Sequence, residues 1–231
     1  MDRSTTLGAR YTEVQKRLAV AVQQAGREPD SVSLLAVSKH KPASAIAELA
    51  AAGQHAFGEN YLQEALPKLR ALANCKLEWH FIGKIQSNKT RDIAASFSWV
   101  HTVDRLKIAE RLASQRPADK PPLNICIEVN LSGEVSKGGV SPDKVLPLAE
   151  QIDALPNLRL RGLMTLPARS EDALTQTQRL RPLVTLFREL NTAGWMLDTL
   201  SMGTTHDFET AIACGSTIVR IGTALFGQRD G

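Results

Sequence analysis

Apolar residues along this chain follow two rhythms. Tyr11, Val14, Leu18, Ala21 and Ala25 recur at three- and four-residue steps. That spacing predicts a helix over 9–26, stopped by Gly26 and Pro29. From residue 33 short apolar runs take over. SLLAVSK (33–39), HAFGEN (55–60), LEWHFIG (77–83) and WVHTVD (99–104) begin 22 residues apart. LNICIEVNL (123–131), LRLRGLMTL (158–166), TLSMG (199–203) and TIVRIG (217–222) continue the series. Helical patterns fill the gaps near 42–53, 61–72, 87–97, 105–115, 142–154, 171–193 and 206–214, with Pro42 suited to a first helical position. Strands alternating with helices predict an α/β chain with a parallel sheet and crossover helices. Eight such units match a closed (β/α)8 TIM barrel, here with an extra N-terminal helix. A doubly wound open sheet is the other arrangement this alternation allows. No Pro/Gly/Ser-rich linker divides residues 1–231, so a single domain is expected.

Composition narrows the class. The chain has 231 residues, 43% hydrophobic and 23% charged, enough for a sizeable core without a metal or disulfide staple. Cys75, Cys126 and Cys214 lie far apart with no CxxC pair. That argues against a zinc site or a disulfide framework and suits a reducing compartment. The N-terminus lacks an apolar signal region, and no run of 18 apolar residues exists. A cytoplasmic protein without a membrane span is expected. The net charge of +4 is spread along the chain. Its densest patch, GKIQSNKTRD (83–92), reads as a loop and first helical turn rather than a nucleic-acid contact.

Function in such a barrel gathers where strands end. The final residues of the eight runs include Lys39, Asn60, His80, Asp104, Asn130, Thr165, Ser201 and Arg220, a polar set after apolar runs. Leu35, Val37 and Lys39 share one face of the first strand. If that face points into the barrel, Lys39 stands at its mouth. Partial desolvation there favours the neutral amine, which can form a Schiff base with an aldehyde. A lysine snorkelling from a strand end is the plainer alternative. Lys41 precedes Pro42 and is expected to point outward.

The last strand supplies the second signal. TIVRIGTALFG (217–227) puts Ile218, Arg220 and Gly222 on one face, and Gly222 and Thr223 open a short helix. Backbone N–H groups at such a start bind phosphate, and the loops after strands seven and eight are the usual phosphate site of this fold. Ser201 ends the neighbouring strand with a hydroxyl. Ordinary turn chemistry would also explain these glycines and hydroxyls. A phosphate site facing an inward lysine fits a ligand with phosphate at one end and aldehyde at the other. Pyridoxal 5′-phosphate is one such molecule. A sugar-phosphate carbonyl compound is another.

Seven motifs now stand in order: AVSKHKP (36–42), FGENYLQEA (57–65), WHFIGKIQSNK (79–89), EVNLSGEVSKGG (128–139), GLMTLPA (162–168), LSMG (200–203) and VRIGTALFG (219–227). In this order they resemble the YggS/PROSC family of pyridoxal phosphate homeostasis proteins, from about residue 33 to 228. The resemblance implies a fold like the N-terminal barrel of alanine racemase. It implies pyridoxal phosphate held on Lys39 as a Schiff base, with Ser201, Gly222 and Thr223 at the phosphate and Arg220 near the pyridine nitrogen. It places Asn60 and Met164 beside the ring and counts Gly203 among the binding residues. One departure stands out. Similar members read SMGMSDD, whereas this chain reads Ser201-Met202-Gly203-Thr204-Thr205-His206-Asp207. Thr205 keeps a hydroxyl where the pattern has serine, and Thr204 makes that wall more polar.

A carrier and an enzyme are then distinguished by what else the chain offers. A racemase needs acid/base groups on both faces of the substrate carbon. In alanine racemase, the resemblance implies, one of them is a tyrosine from a further domain of the partner subunit. Here only Tyr11 and Tyr61 exist, neither at a strand end, and the sequence ends at Gly231 just after the last unit. A cation such as Arg220 beside a pyridine nitrogen disfavours its protonation and weakens it as an electron sink. The expectation is a monomeric binding protein that stores pyridoxal phosphate and delivers it to apo-enzymes, without substantial turnover. A weakly active racemase-like enzyme is the alternative, and a cofactor-free Schiff-base aldolase is a third. His80 is expected as a hydrogen-bonded wall residue, and His101 and His206 as structural or exposed. Lys137 is a candidate contact for a second phosphate.

Overall fold

A computed structural model of the chain describes residues 6–134, 138–167 and 172–227. Eight parallel strands, β1 to β8, close into a barrel in sequence order. They are Ser33–Val37, Ala56–Glu59, Glu78–Phe81, Trp99–Val103, Leu123–Glu128, Leu158–Met164, Thr199–Thr204 and Ile218–Ile221. Strand β1 pairs with β2 on one side and β8 on the other, with Leu35 opposite Arg220. The TIM barrel is therefore the architecture, and the open sheet is excluded. Helix α1 (Leu7–Gln24) precedes the barrel. After the successive strands come α2 (Ala43–Ala51), α3 (Leu62–Ala71), α4 (Thr90–Ser96), α5 (Leu106–Gln115), α6 (Val145–Asp153), α7 (Ala173–Thr192), α8 (Phe208–Cys214) and α9 (Thr223–Phe226). Pro42 is the cap of α2 rather than its first residue, with an extended backbone (φ −71°, ψ 159°) that turns the chain into the helix.

Period-two alternation divides each strand between two environments. Leu34, Ala36, Phe57, Val100, Ile125, Ile127, Leu163, Val219 and Ile221 join the continuous core beneath the helices. Trp99, Cys126 and Met164 form a separate cluster inside the barrel. Full burial of side chains such as Phe57, Phe97, Phe208 and Ile93 stabilises this outer layer by roughly 1.5–3 kcal/mol each. The barrel interior is different, because much of it is polar. His80, His101, Ser201 and Arg220 are all buried there. Trp99 stacks on His80, ring centroids 5.3 Å apart, and the Arg161 guanidinium covers the indole 4.6 Å from its centroid.

Two glycines let the chain pass where a side chain would not fit. A Cβ on Gly83 would lie 1.9 Å from the Asn60 carbonyl oxygen, so β2 and β3 can approach at the mouth only without one. Gly203 has φ +94°, and a Cβ there would fall 2.6 Å from that of Ala211. It bends β7 against α8 just before the segment that departs from the family pattern.

Candidate functional site

The strand ends open on a cavity of about 370 Å³, within the range that holds small ligands. Its wall includes Lys39, Asn60, Met164, Arg220, Gly222 and Thr223. Six of the eight expected site residues therefore face one space. Ser201 and Gly203 do not line it. Ser201 is fully buried below Arg220, where its hydroxyl takes part in the barrel's internal hydrogen bonds, and Gly203 serves the bend into α8. Lys41 lines the same cavity, contrary to the outward direction expected of it. His40 explains the difference: it adopts φ +62°, and this left-handed step reverses the chain before α2 begins.

The turn that carries Lys39 is braced from below. Ser38 donates to Glu59 Oε1 at 2.6 Å, and Lys68 Nζ donates to the same oxygen at 2.8 Å and to the Ser38 carbonyl at 2.9 Å. The His40 N–H donates to Glu64 Oε2 at 2.9 Å. Glu59 is fully buried, and burial raises its pKa, opposed by Lys68 and Ser38. Holding both flanks of Lys39 restricts where its amine can go.

Arg220 starts a chain of buried hydrogen bonds through the barrel. Its Nη1 donates to Ser201 Oγ at 2.7 Å, and its Nη2 to the Thr165 carbonyl at 2.8 Å. Ser201 Oγ lies 2.8 Å from His101 Nδ1, His101 Nε2 lies 2.8 Å from His80 Nδ1, and His80 Nε2 lies 2.8 Å from Glu78 Oε1. Burial lowers the pKa of both histidines, and His101 is held well below the ordinary value, with His80 and Arg220 adding to the effect. Both rings are therefore neutral near pH 7, with one donor and one acceptor each. The Glu78 carboxylate can only accept, so His80 donates to it from Nε2 and accepts at Nδ1. His101 then donates from Nε2 and accepts from the Ser201 hydroxyl. Every donor in the chain points from the guanidinium toward the half-exposed carboxylate at the barrel base. Burial lowers the Arg220 pKa to about 10, while Asp207 and Glu128 support its charge.

At the far side of the cavity lie Thr205, Thr223 and the start of α9. The Ala224 N–H donates to Thr205 Oγ1 at 3.4 Å, so this hydroxyl stands over the first turn of α9. Thr204 donates from both backbone and side chain to Asp207 Oδ1, at 2.7 and 2.8 Å. The departure from the family motif is absorbed by this local turn. Thr205 and Thr223 both line the cavity, beside the start of α9.

These residues suit a ligand carrying an aldehyde and a phosphate. Asn60 Oδ1 is buried with no hydrogen-bond partner among the described residues, a vacancy a ligand donor would fill. Lys39, Lys41, Arg220, Thr205, Thr223 and Gly222 at the start of α9 all line the same space. Neither Tyr11 nor Tyr61 lines it. Tyr61 is 48% exposed, beside the His40 ring. His80 is a buried hydrogen-bonded residue, as expected, and His206 is exposed at the cavity wall. Lys137 lies outside the described residues. The sequence reading passed over Glu128, which also lines the cavity; its place at the end of β5, two residues before Asn130, was the available signal.

Residues 12–230 match the family described as alanine racemase, N-terminal domain. A protein of Pseudomonas aeruginosa named pyridoxal phosphate homeostasis protein is 56% identical, over 98% of this chain and 97% of its own length. A protein of the same name from Pasteurella multocida is 51% identical, over 97% of this chain and 98% of its own. Among solved structures, PipY of Synechococcus elongatus with PLP bound superposes with a TM-score of 0.84 at 33% identity, covering 96% of this chain and all of PipY. Alanine racemase from Corynebacterium glutamicum matches with a TM-score of 0.69 at 18% identity, covering 94% of this chain and 61% of that one, which is a likeness of fold.

Proposed function

The chain belongs to the family of pyridoxal phosphate homeostasis proteins, and from that premise we propose that it binds pyridoxal 5′-phosphate at the barrel mouth, stores it on Lys39 and hands it to apo-enzymes. The carrying observation is the convergence of Lys39, the partnerless Asn60 Oδ1, Arg220, Thr205 and Thr223 on one cavity. The bound cofactor would supply an aldehyde for a reversible covalent bond to an amine, together with a phosphate dianion. Lys39 is the amine assigned to that bond, because its turn is braced on both flanks. Thr205, Thr223 and the N–H groups opening α9 would bind the phosphate. Arg220, fixed by Ser201 and Thr165, would present its cation to the ring's nitrogen and disfavour a proton there. Asn60 and Met164 would orient the ring.

Storage rather than turnover is the reading that the cavity favours. Its wall carries no tyrosine to act as a second acid, and the Arg220 cation opposes electron withdrawal into the ring. The test pairs an absorbance scan of purified protein with reactivation of an apo-aminotransferase. Yellow protein that reactivates the enzyme faster than its Lys39→Ala variant, at matched total cofactor, supports the reading. Turnover of alanine near 1–10³ s⁻¹, the usual enzymatic range, would refute it.

A further inference from the structure

Glu128 has no task in this account, yet its position is distinctive. It ends β5 and lines the mouth cavity with Lys39 and Arg220. It also lines a second cavity of about 520 Å³, which runs between Asn130 and Ser132 after β5 and Gln178 and Arg179 on α7. Glu128, Leu166 and Pro167 form the wall common to both. Gly138 packs over the carboxylate so closely that a Cβ there would lie 3.1 and 3.2 Å from its two oxygens. The influences on its ionisation are burial and distant charges, with no hydrogen bond among them. A partly buried carboxylate that divides two compartments, with no hydrogen-bond donor among the described residues, is a ready acceptor for a cationic N–H donor.

A primary amine fits that acceptor. At neutral pH it arrives as an ammonium ion, which has no lone pair and cannot attack carbon. Release of a covalently held aldehyde to an incoming amine therefore needs a base where the amine enters. We propose that the second cavity admits a primary amine of the amino-acid class and that Glu128 accepts the proton of its ammonium group, so that the free amine displaces Lys39. The inference rests on the reading of Lys39 as the covalent hold. In the step, the ammonium N–H bond breaks and the proton goes to the Glu128 carboxylate. The freed nitrogen lone pair forms a bond to the carbon attached to the Lys39 nitrogen, and that older C–N bond breaks. Because that carbon is held to Lys39 by a double bond, two protons must leave the incoming nitrogen and reach the Lys39 nitrogen. Glu128 relays them one after the other, so Lys39 leaves as a neutral amine and Glu128 is again a carboxylate. The positive charge stays with the incoming nitrogen in its new double bond. Nothing is oxidised or reduced.

The surrounding charges suit a group that exchanges a proton near neutrality. Burial and Asp104 raise the Glu128 pKa to about 7, while Arg220 and Lys84 oppose the rise. Lys39, Lys41, His206 and Asp207 face it across the mouth, and Glu134 and Arg179 across the second cavity.

The test uses the full chain loaded with pyridoxal phosphate, with loading recorded first by absorbance and by borohydride fixation to Lys39. Alanine is added from pH 6 to 9, and freed cofactor is measured, with N-acetylalanine as the probe lacking an amine. Wild-type release should climb through about pH 7 as Glu128 loses its proton. Glu128→Gln should slow it on the order of 10²-fold and remove that step, and Glu128→Asp should restore part of it. N-acetylalanine should release none. A second readout needs no cofactor: in the Lys39→Ala background, calorimetry at pH 8 should show alanine binding about tenfold weaker when Glu128→Gln is added. Should Glu128→Gln unfold, Glu128→Asp and the N-acetylalanine comparison carry the test. A wild-type chain that never loads overturns the storage reading and this inference with it. A chain that loads, but whose release keeps its rate and pH profile without Glu128, overturns this inference alone.

Discussion

Replacing His101 by leucine interrupts the buried chain at its centre while nearly keeping side-chain volume. The Ser201 hydroxyl loses its acceptor and His80 Nδ1 loses its donor, both inside the barrel. Leaving a buried polar group unsatisfied costs about 1–3 kcal/mol, so the pair costs about 4 kcal/mol near pH 7.5. For a chain of this length that corresponds to a fall in Tm of roughly 8–16 °C. The loss should depend on pH in a defined direction. The folded-state pKa of His101 is depressed below its unfolded value, so its contribution is present above about pH 6.5 and is lost as pH falls through the folded pKa. The variant has no such group. Its deficit relative to wild type should therefore shrink below pH 6.5, by up to about 1.4 kcal/mol per pH unit. Comparing the two proteins at each pH cancels the opposite contributions of Glu59 and Glu128, whose raised pKa values favour lower pH in both. Urea denaturation from pH 5 to 7.5 measures the difference. A deficit that stays constant across this range, or one below about 1 kcal/mol at pH 7.5, would refute the neutral-histidine relay.

Other perturbations separate the parts of the site. Lys68→Met leaves the fully buried Glu59 without its cation, and chemical denaturation should show a loss of about 3–5 kcal/mol. Thr205→Val removes a hydroxyl at the proposed phosphate end, and cofactor titration at fixed phosphate should show retention weakened by about 1.5–3 kcal/mol. Ser201→Ala should instead act through Arg220, shifting the absorbance of bound cofactor more than its response to competing inorganic phosphate. Gly83→Ala forces a Cβ against the Asn60 carbonyl at the mouth, so calorimetry should record a lowered Tm and equilibrium dialysis poorer cofactor retention.

Much of the barrel was legible because its strands are short, apolar and regularly spaced, which is what burial beneath crossover helices requires. Lys39 and Arg220 were legible as inward residues because strict alternation carries Leu35 and Ile218 to the same face. Lys41 was misread because alternation ends with the strand: the left-handed turn at His40 redirects the chain, and no glycine announced it. Adjacency suggested a hydroxyl role for Ser201, but it could not show the His101 that the closed barrel places opposite it, a contact between residues 100 apart in sequence. The polar chain from Glu78 to Arg220 was invisible for the same reason. Its members come from β3, β4, β7 and β8, and only barrel closure brings them into line. Glu128 gave a weak signal, since a glutamate at a strand end acquires significance only when two cavities prove to share it.

The central claim is that Lys39 is the covalent hold for pyridoxal phosphate, and mass spectrometry after reduction tests it most directly. Purified protein is incubated with the cofactor, reduced with borohydride, digested and sequenced. The expected result is the cofactor mass on Lys39, absent after Lys39→Ala, with Lys41 unmodified although it lines the same cavity. A cofactor mass chiefly on Lys41, or equal labelling when Lys39 is replaced, would contradict the claim.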